Sequence, residues 1–171
     1  MSDIRTTDPA ATRLRRVRAL LGFFSLMLAL SGATALFLPW ETRTLVHVLW
    51  GDAAPGTSWA PALHAWLARV RDALADVDAR YPFMFYGTDW LAFAHVVLAI
   101  LFLGALRDPV RNVWVVQFGL ICCAGVIPLA CVAAPLRGVP AFWIPVDASF
   151  GVLGAVPLLI VWRDLHLMER G

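Results

Sequence analysis

Four ionisable residues stand inside or beside long apolar runs of this sequence: Asp89, His95, Arg137 and Asp147. Placing an ionisable side chain at the depth of a lipid bilayer costs ~2.5–3.5 kcal/mol even on the mildest scale, so such residues are candidates for function. A carboxylate beside an imidazole can orient a base or relay a proton. The four residues therefore predict a polar pocket within a bundle of helices.

The two acids also admit a purely structural interpretation. Asp89 follows Thr88 at the start of an apolar run, where the helix macrodipole and the free backbone N–H groups favour a carboxylate. Asp147 lies about two turns deep if its helix begins at Ala141. It is again an acid of the first turn if Pro145 is the first helical residue. Both interpretations stay open at this point.

The histidine and the arginine have equally open roles. His95 lies ~9 Å inward from Asp89 and points ~120° away from it, so one helix facet does not hold both. The imidazole either bonds to a neighbouring helix or pairs with Asp147 across the bundle, as a proton relay or an oriented base. Arg137 either solvates the rim, neutralises one of the acids, or grips a lipid phosphate.

Other kinds of site lack a matching pattern. The sequence contains no nucleophile elbow, phosphate loop, HExxH or Walker motif. Its three cysteines lie inside one apolar run without a CxxC, so a thiol–disulfide exchange enzyme is not expected. His47, His64 and Asp52 have a spacing that matches no metal-ligand motif. We expect neither a metal nor a cofactor.

The composition identifies the medium that surrounds these residues. Hydrophobic residues make up 60% of the chain and charged residues 15%, whereas soluble domains have about 45–50% and about 25%. Polar groups are too few to cover a surface that faces water, and lipid removes that requirement. The net charge is only +2, and the arginines lie at the ends of apolar runs, so no nucleic-acid partner is expected.

Four apolar runs are long enough to cross a bilayer, which needs roughly 20 helical residues. They span residues 18–40, 88–106, 112–134 and 141–162. The first run follows a basic segment and contains Ala33-Thr34-Ala35, as a signal peptide would, but it continues to Trp40 and favours an uncleaved helix. The sequence thus predicts an all-α integral membrane protein, a four-helix transmembrane bundle formed by one membrane domain over residues 1–171.

The arginines predict the orientation of the bundle, because short cytoplasmic flanks are enriched in basic residues. The flanks of one side hold nine arginines, namely Arg5, Arg13, Arg15, Arg16, Arg18, Arg107, Arg111, Arg163 and Arg170. The other side holds five, among them Arg137 in a short turn. We expect a multi-pass protein of the bacterial inner membrane with both termini in the cytoplasm, and a polar pocket in the outer half of the bundle.

The segment 41–87 is then extracytoplasmic, between the first and second spans. Residues Gly51 to Gly56 predict a loop. Thr57 or Ser58 is expected to cap an amphipathic helix after it, with Pro61 in the first turn. The predicted apolar face of this helix, which excludes His64, meets lipid or the tops of the spans. It consists of Trp59, Leu63, Trp66, Leu67, Val70, Leu74 and Val77.

Small residues indicate where the spans approach each other, because small-xxx-small spacing lets helix backbones pack closely in lipid. Such spacing occurs in the first and fourth runs, at Ser25, Ala29 and Ala33 and at Gly151 and Ala155.

The absence of a catalytic motif favours a non-enzymatic protein that supports or regulates a membrane partner, either another protein or a second copy of the chain. One alternative is a transporter or lipid-binding protein that uses the polar pocket. Another is a membrane enzyme that acts on a lipid-soluble substrate with His95 as acid or base. In each case the lipid bilayer is the first partner.

Overall fold

A computed structural model describes residues 9–170, which form helices joined by short loops and contain no strand. Arg5, one of the arginines that predict the orientation, lies outside the described residues. The helices are α1 (Pro9–Leu36), α2 (Leu38–Trp50), α3 (Pro61–Arg80), α4 (Tyr86–Arg107), α5 (Val113–Leu136) and α6 (Ile144–Glu169). Four of them, α1, α4, α5 and α6, are long and apolar enough to cross a membrane. The prediction of four such helices is confirmed.

The chain forms two compact units. The first unit combines the described residues up to Met27 with those from Leu98 onward, and the second unit is Leu28–Val97. Helices α1 and α4 each contribute one part to each unit. The expectation of a single membrane domain over 1–171 stays a prediction.

The core of the first unit is made where helices come close together. Gly119 of α5 faces two large side chains, because a Cβ atom there would lie 2.7 Å from Phe102 of α4 and 2.8 Å from Leu158 of α6. Gly151 of α6 faces the backbone carbonyl of Cys123 of α5 even more closely, as its small-residue spacing predicted. Around these contacts lie fully or almost fully buried side chains, namely Val17, Leu21, Phe102, Val116, Leu158, Val161 and Leu165.

In the second unit, a glycine again sets the distance between two helices. A Cβ atom at Gly32 of α1 would lie 2.8 Å from Cβ of His95 and 3.0 Å from the carbonyl oxygen of Ala92 in α4. The predicted contact residue Ala33 is exposed instead. Because consecutive helical residues point about 100° apart, only one of these neighbours can face α4 closely. Gly32 is the one that does so, since it has no side chain.

The helix of the first apolar run ends earlier than predicted, because α1 ends at Leu36 and α2 begins at Leu38. Pro39 lies in the first turn of α2, where its missing N–H costs nothing. Inside one continuous helix the same proline would remove a backbone hydrogen bond and clash with the preceding turn. The prediction of one helix through Trp40 is therefore wrong.

Helices α2 and α3 pack against each other as a hairpin. Gly51 ends α2 with a φ of +57°, a backbone conformation that glycine adopts without strain. Thr57 and Ser58 do not cap α3, since their hydroxyls donate to the carbonyls of Ala54 and Pro55 within a short turn. Helix α3 begins at Pro61 as predicted.

We expect the close approach of α5 and α6 to make Gly151→Ala destabilising. Its methyl group meets backbone rather than a movable side chain, so the free energy of unfolding should fall by about 1–3 kcal/mol. Gly125 of α5 is the matched control, because a Cβ atom there meets nothing within 4 Å. Gly125→Ala should raise the free energy of unfolding by up to ~1 kcal/mol through helix propensity. Reversible unfolding in mixed micelles measures both, and equal responses would contradict the packing.

Candidate functional site

The four residues of the predicted polar pocket divide between the two units. Asp89 and His95 belong to the second unit, and Arg137 and Asp147 belong to the first. A pocket formed by all four, including the pairing of His95 with Asp147, stays a prediction.

Both acids lie in the first turn of a long helix. Asp89 is exposed in the first turn of α4. Asp147 is half-buried in the first turn of α6, which begins at Ile144 with Pro145 directly after it. Of the two interpretations of Asp147, the first-turn acid is the correct one. Each carboxylate thus faces the positive end of a helix macrodipole and stabilises the start of its helix.

The imidazole of His95 bonds within its own helix rather than to a neighbouring helix. Its Nδ1 atom lies 2.8 Å from the carbonyl oxygen of Leu91, one turn earlier in α4. Since the carbonyl can only accept, Nδ1 donates this hydrogen bond. We expected this imidazole to bond to a neighbouring helix. It bonds instead to the preceding turn of α4, and this hydrogen bond fixes its orientation.

Arg137 and Asp147 line one open groove of about 320 Å³ on the first unit. Arg137 directly follows α5, and Asp147 lies in the first turn of α6, so both charges lie where these helices join. Within residues 9–170 neither charged side chain forms a hydrogen bond or an ion pair. The rest of the groove is apolar, formed by Val126, Leu129, Ala130, Ala133, Ala134 and Val139. Two opposite, unpaired charges at one end of an apolar wall suit a ligand that carries both signs.

A second polar feature of the first unit is a buried ion pair that the sequence did not predict. Arg16 donates from Nε to Oδ2 of Asp164 at 2.6 Å and from Nη2 to Oδ1 at 2.5 Å. Asp164 is completely buried, whereas half of the Arg16 side chain is exposed. Two parallel bonds of this kind hold a carboxylate strongly and in one orientation. The pair therefore connects the beginning of α1 to the end of α6.

The only sequence signal for this pair was an acid just beyond the fourth apolar run. Asp164 follows Arg163 there, in a flank whose arginines were counted for orientation. Pairing with Arg16 depends on how the helices assemble. Arg18 adds a weaker connection at the same end of the first unit, because it donates a hydrogen bond to the backbone carbonyl of Arg107 at 3.4 Å.

The hairpin of the second unit encloses an aromatic stack. The rings of Trp50 and His64 lie parallel, 4° apart in tilt, with centroids 4.3 Å apart. Trp59 stacks on the indole of Trp50 at 5.6 Å. His64 is therefore buried, and its expected place off the apolar face of α3 is wrong. Both Nε1 of Trp50 and Nδ1 of His64 are buried without a hydrogen-bond partner among residues 9–170.

Helix α3 packs against α2, so part of its predicted apolar face is covered within the chain. Leu67 is buried, and the other helical members of that face, Leu63, Trp66, Val70, Leu74 and Val77, are half-buried. Trp59 precedes the helix and is 71% exposed. On the opposite face of α3, Asp76 accepts a hydrogen bond from Arg80 and raises the pKa of that guanidinium, which stays charged. The interfacial role of this face stays a prediction.

Within the described part of the chain, no group of three or more His, Cys, Asp or Glu side chains is arranged to hold a metal ion. His64 stacks on Trp50, while His47 is exposed on α2.

Comparison of the chain with protein families, with curated proteins and with solved structures found no match.

We expect the two partners of the buried ion pair to respond unequally to substitution. Arg16→Gln leaves the carboxylate of Asp164 charged and buried, so the free energy of unfolding should fall by about 3–5 kcal/mol. Asp164→Asn leaves the charge on the half-exposed arginine, and the loss should be smaller, about 1–3 kcal/mol. The double variant should recover part of the Arg16→Gln loss. Unfolding in micelles measures all three proteins, and additive losses would contradict the pairing.

Proposed function

We propose that the chain is a multi-pass protein of a bacterial inner membrane with both termini in the cytoplasm. Four helices of sufficient length and apolarity support the membrane crossings. The bonds from Arg16 to Asp164 and from Arg18 to the carbonyl of Arg107 support the orientation. They place the beginning of α1 and the ends of α4 and α6 at one end of the first unit. That end carries most of the arginines, as cytoplasmic ends do.

In this orientation the α2–α3 hairpin lies on the outer side, because it follows the first crossing and precedes the second. Helix α2 has 13 residues, fewer than the roughly 20 that a crossing needs. Its apolar residues therefore require a different explanation from those of the four long helices.

We propose that the chain supports a membrane partner and does not catalyse a reaction. The main support for this proposal is a second apolar face of α2, called the bare face, that α3 does not cover. The face toward the hairpin interior consists of Thr42, Val46 and Trp50, all buried. The bare face consists of Leu45, Val48 and Leu49, spaced as neighbours on a helix surface, and Val48 is 74% exposed. A compact apolar stripe on a short helix is typical of a surface that packs against another protein.

The roles of the ionisable candidates support a non-enzymatic function. Asp89 and Asp147 stabilise helix starts, and Nδ1 of His95 is engaged by its own helix. General acid–base catalysis needs a titratable group within hydrogen-bond reach of a substrate and an orienting partner. Within the described residues of its own unit, no carboxylate forms a hydrogen bond with the imidazole of His95, so an acid–base pair is not assembled there.

We expect a photo-crosslinking amino acid at Val48 to form an adduct with one discrete membrane protein, or with a second copy of the chain, in intact cells. The same amino acid at Arg43 is the control, because Arg43 is exposed on α2 but lies away from the bare face. Leu45→Ser together with Leu49→Ser should abolish the Val48 adduct and leave the folding of the chain intact. Adducts with lipid alone, or equal adducts from both positions, would contradict partner support.

The proposed orientation has its own test. In a variant without the native cysteines, a cysteine at Ser58 should react with a membrane-impermeant reagent added to spheroplasts. A cysteine at Glu169 should react only after permeabilisation. The physical reason is that these residues lie on opposite sides of the bilayer in the proposed topology. Reaction of both positions without permeabilisation would overturn it.

Lipid binding is a second candidate function, favoured by the groove that Arg137 and Asp147 line. An apolar wall that ends in two unpaired charges has the amphipathic character of a membrane lipid.

A further inference from the structure

The groove on the first unit has a polar end and an apolar wall. The positions of its lining residues along α5 show where each of them lies. Val126, Leu129, Ala130, Ala133 and Arg137 recur at intervals of three and four residues along α5, so they share one face of the helix. From Val126 to Arg137 this face is ~16 Å long at ~1.5 Å per residue. An acyl chain lying along it would have apolar contacts until it reaches Arg137.

Both signs of charge lie at the same end of this wall. Arg137 directly follows α5, and Asp147 lies in the first turn of α6 after a short connection. The side chains of Arg137 and Asp147 do not pair with each other or with another described residue. Arg137 is exposed and Asp147 is half-buried, so both charges are accessible to a ligand. A ligand that brings one charge of each sign would satisfy both at once.

The guanidinium of Arg137 and the carboxylate of Asp147 determine which charged groups the ligand should carry. A guanidinium matches the geometry of a phosphate and forms charge-assisted hydrogen bonds to it. A half-buried carboxylate accepts hydrogen bonds, and a primary ammonium donates up to three. A quaternary ammonium carries the charge without these donors, and a glycerol headgroup lacks the positive charge.

We propose that this groove binds an aminophospholipid, with its phosphate at Arg137, its primary ammonium at Asp147, and an acyl chain along the wall from Ala133 to Val126. This inference rests on lipid binding, the second candidate function. In the proposed orientation, the headgroup lies in the outer leaflet and the acyl chain points into the bilayer.

The experiment is a lipid competition on the purified full chain. The protein in detergent receives an equimolar mixture of phosphatidylethanolamine, phosphatidylcholine and phosphatidylglycerol with identical acyl chains, and native mass spectrometry counts the lipids retained. We expect phosphatidylethanolamine to be retained at least about tenfold over each of the others, the effect of one charge-assisted hydrogen bond. Asp147→Asn should remove the preference over phosphatidylcholine. Arg137→Gln should lower the retention of phosphatidylethanolamine about tenfold.

Matched controls separate the groove from general effects. Asp89→Asn removes an acid from the first turn of another helix, outside the groove, and should leave the preference unchanged. Ala133→Leu fills the apolar wall and should reduce retention of the preferred lipid about tenfold or more, whereas Ala124→Leu, an exposed position outside the groove, should not. If Asp147→Asn fails to fold, this alanine pair and the wild-type preference decide the question.

The possible results of the competition separate the binding of an aminophospholipid from lipid binding in general. Equal retention of the three lipids by the wild type would overturn the aminophospholipid while leaving lipid binding in place. The same holds for a preference that survives Asp147→Asn. A wild type that retains none of the three lipids would overturn both.

Discussion

The carboxylate of Asp164 has no contact with solvent and is surrounded by packed helices. A buried carboxylate without a partner is very unfavourable, since it loses its hydration and gains nothing in return. The two hydrogen bonds from Arg16 remove this penalty. They require that α1 and α6 lie side by side in one register. Half of the arginine side chain stays exposed, so the pair lies where an apolar interior meets a polar boundary. The packing of the first unit depends on this register.

Two glycines also determine how closely the helices of the first unit pack. Gly151 allows α6 to touch the backbone of α5 at Cys123, and Gly119 gives Phe102 and Leu158 room to meet. In lipid the hydrophobic effect does not draw helices together, so close backbone contact and a few polar bonds must do so. Two glycine contacts therefore bring α5 against α6, and the ion pair joins α1 to α6. Their junction also forms the groove that presents Arg137 and Asp147.

The hydropathy of the sequence was sufficient to predict the four long helices, because runs of about twenty apolar residues have few alternative structures. The proline positions could also be interpreted physically. Pro145 lies in the first turn of α6 together with Asp147, whereas Pro39 lies in the first turn of α2, just after α1 ends. The prediction failed in choosing which residue within a helix turn faces the neighbouring helix. Ala33 was expected to approach another span, but it is exposed and Gly32 contacts α4 instead, since a shift of one residue moves a side chain by about 100°.

The polar sites were predictable only in part. Arg137 and Asp147 were both candidates, but the groove arises from the packing of α5 against α6, which no local pattern encodes. The pairing of Arg16 with Asp164 was out of reach for the same reason, because several arginines flank the runs and nothing local selects one of them. His64 was misassigned because a histidine counts as polar, whereas in the hairpin its ring packs as a flat aromatic against Trp50.

The order of the two units along the chain has a consequence for biosynthesis. The second unit is a continuous segment, Leu28–Val97, inserted between the two parts of the first. All contacts of the second unit can thus form while the ribosome is still making the remainder. Arg16, by contrast, must wait for an acid that is translated 148 residues later. Helix α6 leaves the ribosome after α1, α4 and α5, so a nascent chain interrupted before α6 lacks the partner of Arg16 and exposes Gly119 of α5 to the quality-control proteases of the cell.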